Sequence, residues 1–419
     1  MCSKPGKRVG TAPDLCALAD PPTTQANVEV LRRVRALMLV LALLAITATA
    51  FPEPLQFADW TIPVAEGTRI VEYPAPSIAE REGKRIELAE DLVIEARGDD
   101  TNYLFYRPTD IEADAEGRIY VADSGNTRVQ VFDAGGEYLR TLGRQGQGPG
   151  EFGGGPLGQR LGLIVAGDRI VVNDPSQRKI AVFASSGAHI ADHSISASLL
   201  VGLADGSFLS QVSEFEDDGT RYQNLVRFSA EGAQIRTYIS LSAPSQRVGN
   251  FVGIPGVTAS PSFAAAREGE MYATGGDEYQ VFALDTSGAA RWALRVARER
   301  QAFTDEHEDR VVSWVRGVSP EDATATATGT VWPSHLPALS HLAIDGHGHL
   351  YVFPFEFRFG EIGEQREVDV YSPDGERLFP GYMDRTPWSD ADGDFVYALR
   401  TNEETGEQEP VRYRLIEPF

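Results

Sequence analysis

The chain has 419 residues and a formal net charge of −23, from 61 acidic against 38 basic side chains. That acidic balance argues against a nucleic-acid backbone as partner and against loose adsorption to anionic lipid. Its two cysteines, Cys2 and Cys16, both lie near the start, so a chain that has lost its leader has no disulfide and no thiol nucleophile, and its stability has to come from a buried core.

Residues 1–50 read as a leader. Arg32, Arg33 and Arg35 precede an apolar run from Ala36 to Ala50 that closes on Ala48-Thr49-Ala50, the order of charge, core and cleavage site found in export signals. The run is shorter than the ~20 residues a membrane span needs. Cleavage after Ala50 is expected, giving an extracytoplasmic protein, periplasmic or secreted, with no stable membrane insertion; an uncleaved anchor is the alternative. Only Lys84 and Lys179 follow the leader among lysines, a composition of bacterial type. The polar stretch from Met1 to Val30 is long for a signal and puts the true start in question. Residues 51–83, rich in Pro and Glu, are expected to form an arm, and "KRIELAEDLVIE" (84–95) a strand with no hairpin partner of its own.

From residue 109 the chain repeats itself. "DIEADAEGRIYVADSGNTRVQVFDAGGEYLRTLG" reads as four strands, at 109–113, 118–122, 128–132 and 137–142, joined by Gly and Asp turns. Five further copies follow, and the turn glycines before the second strand mark all six: Gly117, Gly167, Gly206, Gly269, Gly348 and Gly393. Four-stranded units that bury both faces only against others like themselves predict an all-β, six-bladed β-propeller over 84–419. The sixth copy ends after three strands, so residues 84–95 are expected to pair with 410–417 and close the last blade. The longest interval between copies, the fourth to the fifth, contains an insertion (295–338). Within it 296–317 reads as a helix capped by Thr304, with Phe303, His307, Val311, Val312 and Val315 on one face.

The link "GRQGQGPGEF" (143–152) is glycine-rich but follows two β-type runs and opens into no helix, which excludes a phosphate loop. Gly143, Gly146, Gly148 and Gly150, with Pro149, instead let a long connection turn over one face. Asp123, Gly125, Asn126, Arg128 and Gly136 form a turn motif: Asp123 and Asn126 bond to backbone, and Arg128 pairs its head with a carboxylate. The residues of this motif, with Val129, Val131, Phe132 and the following glycine-rich link, resemble the NHL-repeat propellers, especially bacterial exported proteins described as six-bladed β-propellers. That broader fold includes binding platforms as well as peptidylglycine amidating lyase and gluconolactonase-like hydrolases, so the resemblance selects no chemistry.

No serine elbow is present. A metal in the central funnel would need ligands from several blades, for which His335 and His341, with His307 as a third, are the candidates. His189 and His193 fall on a poorly patterned connection, and "DGHGH" (345–349) fits a tight, solvent-facing hairpin. Asp123, Asn126 and Asp174 offer oxygens for calcium, but the equivalent positions drift to Thr274 and Phe353. With no complete ligand set, no metal and no cofactor are expected. The expectation is a monomeric, non-enzymatic recognition scaffold that takes a protein, peptide, glycan or small molecule at one mouth through Arg144, Gln147, Trp314, Trp332, His335, His341 and Trp388. The alternative is a metal-dependent funnel enzyme of the amidating-lyase or lactonase type.

Overall fold

The computed structural model describes residues 67–419 apart from 154–159, 196, 216–220, 244–246, 249–250, 253–256, 258, 319–331, 360–364, 385–387 and 403. The expected leader, its apolar run and the first part of the arm lie outside the described residues. The remaining arm supplies β1 (Arg69–Pro74) and a one-turn helix, α1 (Ile78–Arg81), and is followed by β2 (Arg85–Val93). Ser77 and Glu80 close a capping box on α1. Its last residue, Arg81, is buried with its guanidinium 2.7 Å from the carboxylate of Asp369.

The first repeat forms β3 (Pro108–Ala113), β4 (Ile119–Asp123), β5 (Arg128–Phe132) and β6 (Tyr138–Leu142). β4 and β5 are buried along almost their whole length, which is why they read as unbroken β-branched and aromatic runs. The second repeat is β7 (Gly162–Ala166), β8 (Arg169–Asp174), β9 (Lys179–Ala184) and β10 (His189–His193). The third is β11 (Ser198–Gly202), β12 (Phe208–Phe215), β13 (Arg221–Phe228) and β14 (Gln234–Ala243), followed by a small hairpin of β15 (Arg247–Val248) and β16 (Phe251–Val252). The fourth is β17 (Ser262–Ala265), β18 (Met271–Thr274), β19 (Gln280–Leu284) and β20 (Ala290–Ala297), and α2 (Asp305–Val318) comes after it. The fifth is β21 (Leu339–Ile344), β22 (Leu350–Pro354), β23 (Gln365–Tyr371) and β24 (Arg377–Asp384); the chain finishes with β25 (Trp388–Asp392), β26 (Phe395–Thr401) and β27 (Gln408–Ile416).

The pairing corrects the expectation of six equal four-stranded sheets. β1 adds in parallel to the outer edge of β20, from Arg69 opposite Trp292 to Pro74 opposite Ala297, and makes that sheet five-stranded. β2 pairs antiparallel with β27, from Glu87 opposite Ile416 to Val93 opposite Val411. Its first two residues also pair in parallel with Tyr382 and Met383 of β24. The last two groups of strands are therefore one eight-stranded sheet, in the order β21-β22-β23-β24-β2-β27-β26-β25. The architecture is mostly β and propeller-like, without clean closure into six identical units.

Three shorter readings also change. Residues 189–193, read as a connection, are the fourth strand β10, and β14 extends to Ala243. The helix starts at Asp305 rather than 296, because pairing with β1 holds β20 in the sheet as far as Ala297. Thr304 sits at the helix start, where its hydroxyl lies 2.8 Å from Nδ1 of His307.

Apolar clusters fill the spaces between successive sheets. Tyr120, Val131 and Phe152 meet Leu163 and Phe183, while Tyr351, Phe353 and Val370 meet Val396, Val411 and Ile86. Residues of the first sheet, among them Ile111 and Phe132, meet Tyr397 of β26. The first strands β3, β7, β11, β17 and β21 lie side by side in that order, and β25 lies beside β3; among the described residues β21 and β25 approach least closely.

Candidate metal centre

At the end of β21 the chain reverses through Asp345–His349 into β22. One oxygen of Asp345 accepts the backbone N–H groups of His347 and His349, both at 2.8 Å. Gly348 takes φ +82°, a left-handed conformation that favours glycine. The second Asp345 oxygen lies 2.8 Å from Nδ1 of His349, and the same nitrogen is 3.6 Å from Glu417, just past the end of β27. Tyr351 donates its hydroxyl to Glu417. The ligand-capable atoms of Asp345, His349 and Glu417 all lie within 4.8 Å of one another.

Asp345 is buried, and the side chains of His349 and Glu417 are only 24% and 16% exposed. Hydrogen bonds to Asp345 and then to Glu417 outweigh burial and push the His349 imidazole up to about 10. Burial opposes the charge of Asp345, but the bond from His349 leads the contacts that leave its carboxyl below the usual range. Burial, with the two carboxylates beside it, pushes the Tyr351 hydroxyl far above its ordinary value. The three groups thus converge on one positive charge. Two carboxylate oxygens and one imidazole nitrogen are also a donor set suited to a borderline divalent cation such as Zn²⁺ or Mn²⁺, taking the place of the imidazole proton.

The first repeat contains the same turn with a different cation. Asp114 accepts from the backbone N–H groups of Glu116 and Arg118, from Arg118 Nε at 2.6 Å and from the Tyr120 hydroxyl at 2.8 Å. Asp114, Arg118 and Tyr120 have the spacing of Asp345, His349 and Tyr351. The repeat therefore supplies a guanidinium in one copy and a metal-capable imidazole in the other. The reading of 345–349 as a solvent-facing hairpin is corrected for His349, while His347 stays at the surface, 2.9 Å from Asp394. The sequence signal was that the fifth copy repeats the Asp-x-x-Gly-x-x-Tyr spacing of the first, with His349 where the first has Arg118. Glu417 gave none, because only the pairing of β27 beside the fifth repeat brings it there.

The residues expected at one mouth do not join this group. Arg144 and Gln147 are exposed in the link between β6 and β7, and Arg144 pairs with Glu151 at 2.8 Å. In the insertion, Trp332 stacks on Phe303 at 5.3 Å, and Trp314, 43% exposed, meets the edge of Phe359. His335 bridges to Ala302 in the same insertion. His341 stacks on Phe353 at 4.3 Å and accepts from Arg366 at 3.1 Å. Burial first, then Arg366 and Arg358, lowers the His341 imidazole to about 3, so it is neutral. The backbone of Trp388 opens β25, but its side chain lies outside the described residues. The insertion leads into the start of β21 and the metal-capable turn follows its end, so the two lie at opposite ends of that strand.

The turn motif of the first repeat is built around Asp123, which is fully buried. It accepts from the Tyr106 N–H, from Asn126 and from Arg128 Nε, each at 2.8 Å. At Gly125 a Cβ would stand 2.2 Å from the Tyr106 carbonyl oxygen. Gly136 takes φ +82°.

Residues 100–250 match the DUF5128 family, described as a 6-bladed beta-propeller. No curated protein matches the chain. Among solved structures, a member of the DUF4221 family from Bacteroides vulgatus is 11% identical, with 79% of this chain and 98% of that one covered and a TM-score of 0.47. A putative exported protein from Bacteroides fragilis is 10% identical, covering 83% and 100%, with a TM-score of 0.44. A streptogramin B lyase is 10% identical, covering 78% and 87%, at 0.34. The similarity is to β-propeller-like proteins at a distance, broader than the NHL-repeat exported group expected from the motif. The expectation of a non-enzymatic scaffold rested on the lack of any complete ligand set. The convergence of Asp345, His349 and Glu417 supplies one and overturns it.

Proposed function

We propose that this protein is a metal-dependent enzyme of the lactonase or lyase kind, with Asp345, His349 and Glu417 as the residues that hold its cation. The observation that carries this reading is the convergence of two carboxylates and an imidazole from chain segments far apart in sequence. A divalent cation bound there would act as a Lewis acid on a substrate oxygen. The protein's own part is positioning. The backbone N–H groups of His347 and His349 fix Asp345, and Tyr351 fixes Glu417. Phe419 packs against the His349 ring at 5.6 Å, with Phe379 beside it.

The finer fold reading belongs with this proposal: six blades, β2 acting as fourth strand of the last, on an exported protein. Among the described residues no helix is long and apolar enough to cross a membrane. Arg144, Gln147, Trp314, Trp332, His335 and His341 are then read as a separate contact surface.

The test is metal analysis of protein purified without added ions, followed by zinc titration and assay of metal-free and reloaded protein on a panel of lactones. About one zinc or manganese per chain, with hydrolysis that returns on reloading, is expected. Asp345→Asn should lower activity about a hundredfold. Turnover unaffected by metal removal, or no binding at all, would overturn the proposal.

A further inference from the structure

The metal-capable group lies at a seam. First strands of neighbouring repeats pack side by side except β21 and β25, which approach least closely among the described residues. At the outer side the two strand groups are joined by β2, whose first residues Arg85 and Ile86 pair with β24 next to Lys84, which accepts from the Tyr382 N–H. At the turn end, the polar contacts across the seam include His347 with Asp394 at 2.9 Å, His349 with Glu417 at 3.6 Å and the Tyr351 hydroxyl donating to Glu417. Asp345 and His349 belong to one side of the seam and Glu417 to the other.

We infer that the cation held by Asp345, His349 and Glu417 also fastens this seam, tying the end of β27 to the turn between β21 and β22. The inference rests on the metal reading above. Asp345 and Glu417 face each other across the joint with the His349 imidazole between them, and a divalent cation in place of the imidazole proton would bind all three directly. In the first repeat the corresponding position is filled permanently by Arg118, whose guanidinium serves its own turn and its neighbour Glu116. Replacement of that arginine by His349 leaves a ligand nitrogen where the guanidinium stood, directed at a carboxylate of the facing strand group. Occupancy of the site would therefore add a tie at the turn end to the apolar packing of Tyr351, Phe353 and Val370 on Ile86, Val396 and Val411.

Any ligand of the native state raises Tm, here by about 3–5 °C at a hundred times its dissociation constant, so the location of the effect decides the matter. Hydrogen exchange of the metal-free full chain is compared with and without zinc chloride, with binding followed in parallel by calorimetry. Zinc is expected to slow exchange about tenfold or more in β2, β26 and β27 as well as in residues 345–349, and to leave β7 to β14 unchanged. His349→Arg should show the slowed pattern without zinc and no response to it, as the first repeat's arginine turn implies. If that variant fails to fold, Glu417→Gln carries the test: zinc binding weakened about tenfold and protection of β26 and β27 lost. Zinc that binds the wild type but protects only 345–349 overturns the fastening and leaves the metal site standing. Wild type that binds no zinc overturns both.

Discussion

Asp123 and His341 show two ways in which single buried side chains constrain this molecule. At Asp123 an ionised carboxylate is fully satisfied by a backbone N–H, an amide and a guanidinium, so its charge is balanced where it is buried. This was legible in sequence because all but the Tyr106 contact lie within five residues. His341 is the opposite case: held neutral by burial and by Arg366, it refuses a proton that the unfolded chain accepts. With a folded value of about 3 against an ordinary 6.5, the unfolded state binds more protons between those limits. Stability should therefore be unaffected above pH 6.5 and fall as pH drops toward 3, by about 3 kcal/mol at pH 4. His341→Phe, which keeps a ring on Phe353, should lose that part of the acid dependence. Urea titrations at pH 7 and pH 4 measure it, and an equal loss of stability in variant and wild type would exclude His341 as its source.

The glycine-rich link between β6 and β7 folds back on itself. Phe152 donates its N–H to the Arg144 carbonyl oxygen and accepts at its own carbonyl from the Gly146 N–H. Its ring is wholly buried between the first two sheets, with Phe183 at 6.0 Å. Gly143, at φ +67°, has no room for a Cβ, which would stand 2.2 Å from that ring. The glycines therefore let backbone pass close to an anchoring aromatic, and Phe152 belongs to the core. Phe152→Ala should cost about 3–5 kcal/mol, seen as a lower urea midpoint with unchanged slope. A loss below about 1 kcal/mol would show that the link does not anchor there. The insertion illustrates the limit of local pattern: helical spacing was visible from residue 303 onward, but pairing with β1 decided that Val296 and Ala297, read as the start of the helix, are strand.

On the scale of the whole molecule, β1 and β2 have different duties although both come from one N-terminal stretch. β1 covers an outer edge, with Val71 and Tyr73 packed on the cluster that contains Trp292. β2 joins β24 to β27 and buries Ile86 completely. A chain starting at Ala75 should fold with a lowered Tm, whereas one starting at Ile94 should leave the β27 edge open and aggregate. Size-exclusion chromatography with circular dichroism separates the two outcomes, and a monomeric, folded chain lacking β2 would refute its closing role.

The turn glycines of the repeats, the turn around Asp123 and the pairing of the strand expected at 84–95 with the end of the chain, observed for 87–93 with 411–416, were legible in the sequence alone. Each depends on residues close together, or on counting strands in a repeat whose last copy is one short. Only the tertiary structure decided that two strand groups merge through β2, that β1 doubles an edge, and that Glu417 meets Asp345 and His349. Those contacts depend on how sheets curve and where their ends meet, and a pattern of side chains along the chain encodes neither. The Asp345–His349 spacing was present in the sequence throughout, but two ligands in one turn become a metal-capable set only when folding brings the third.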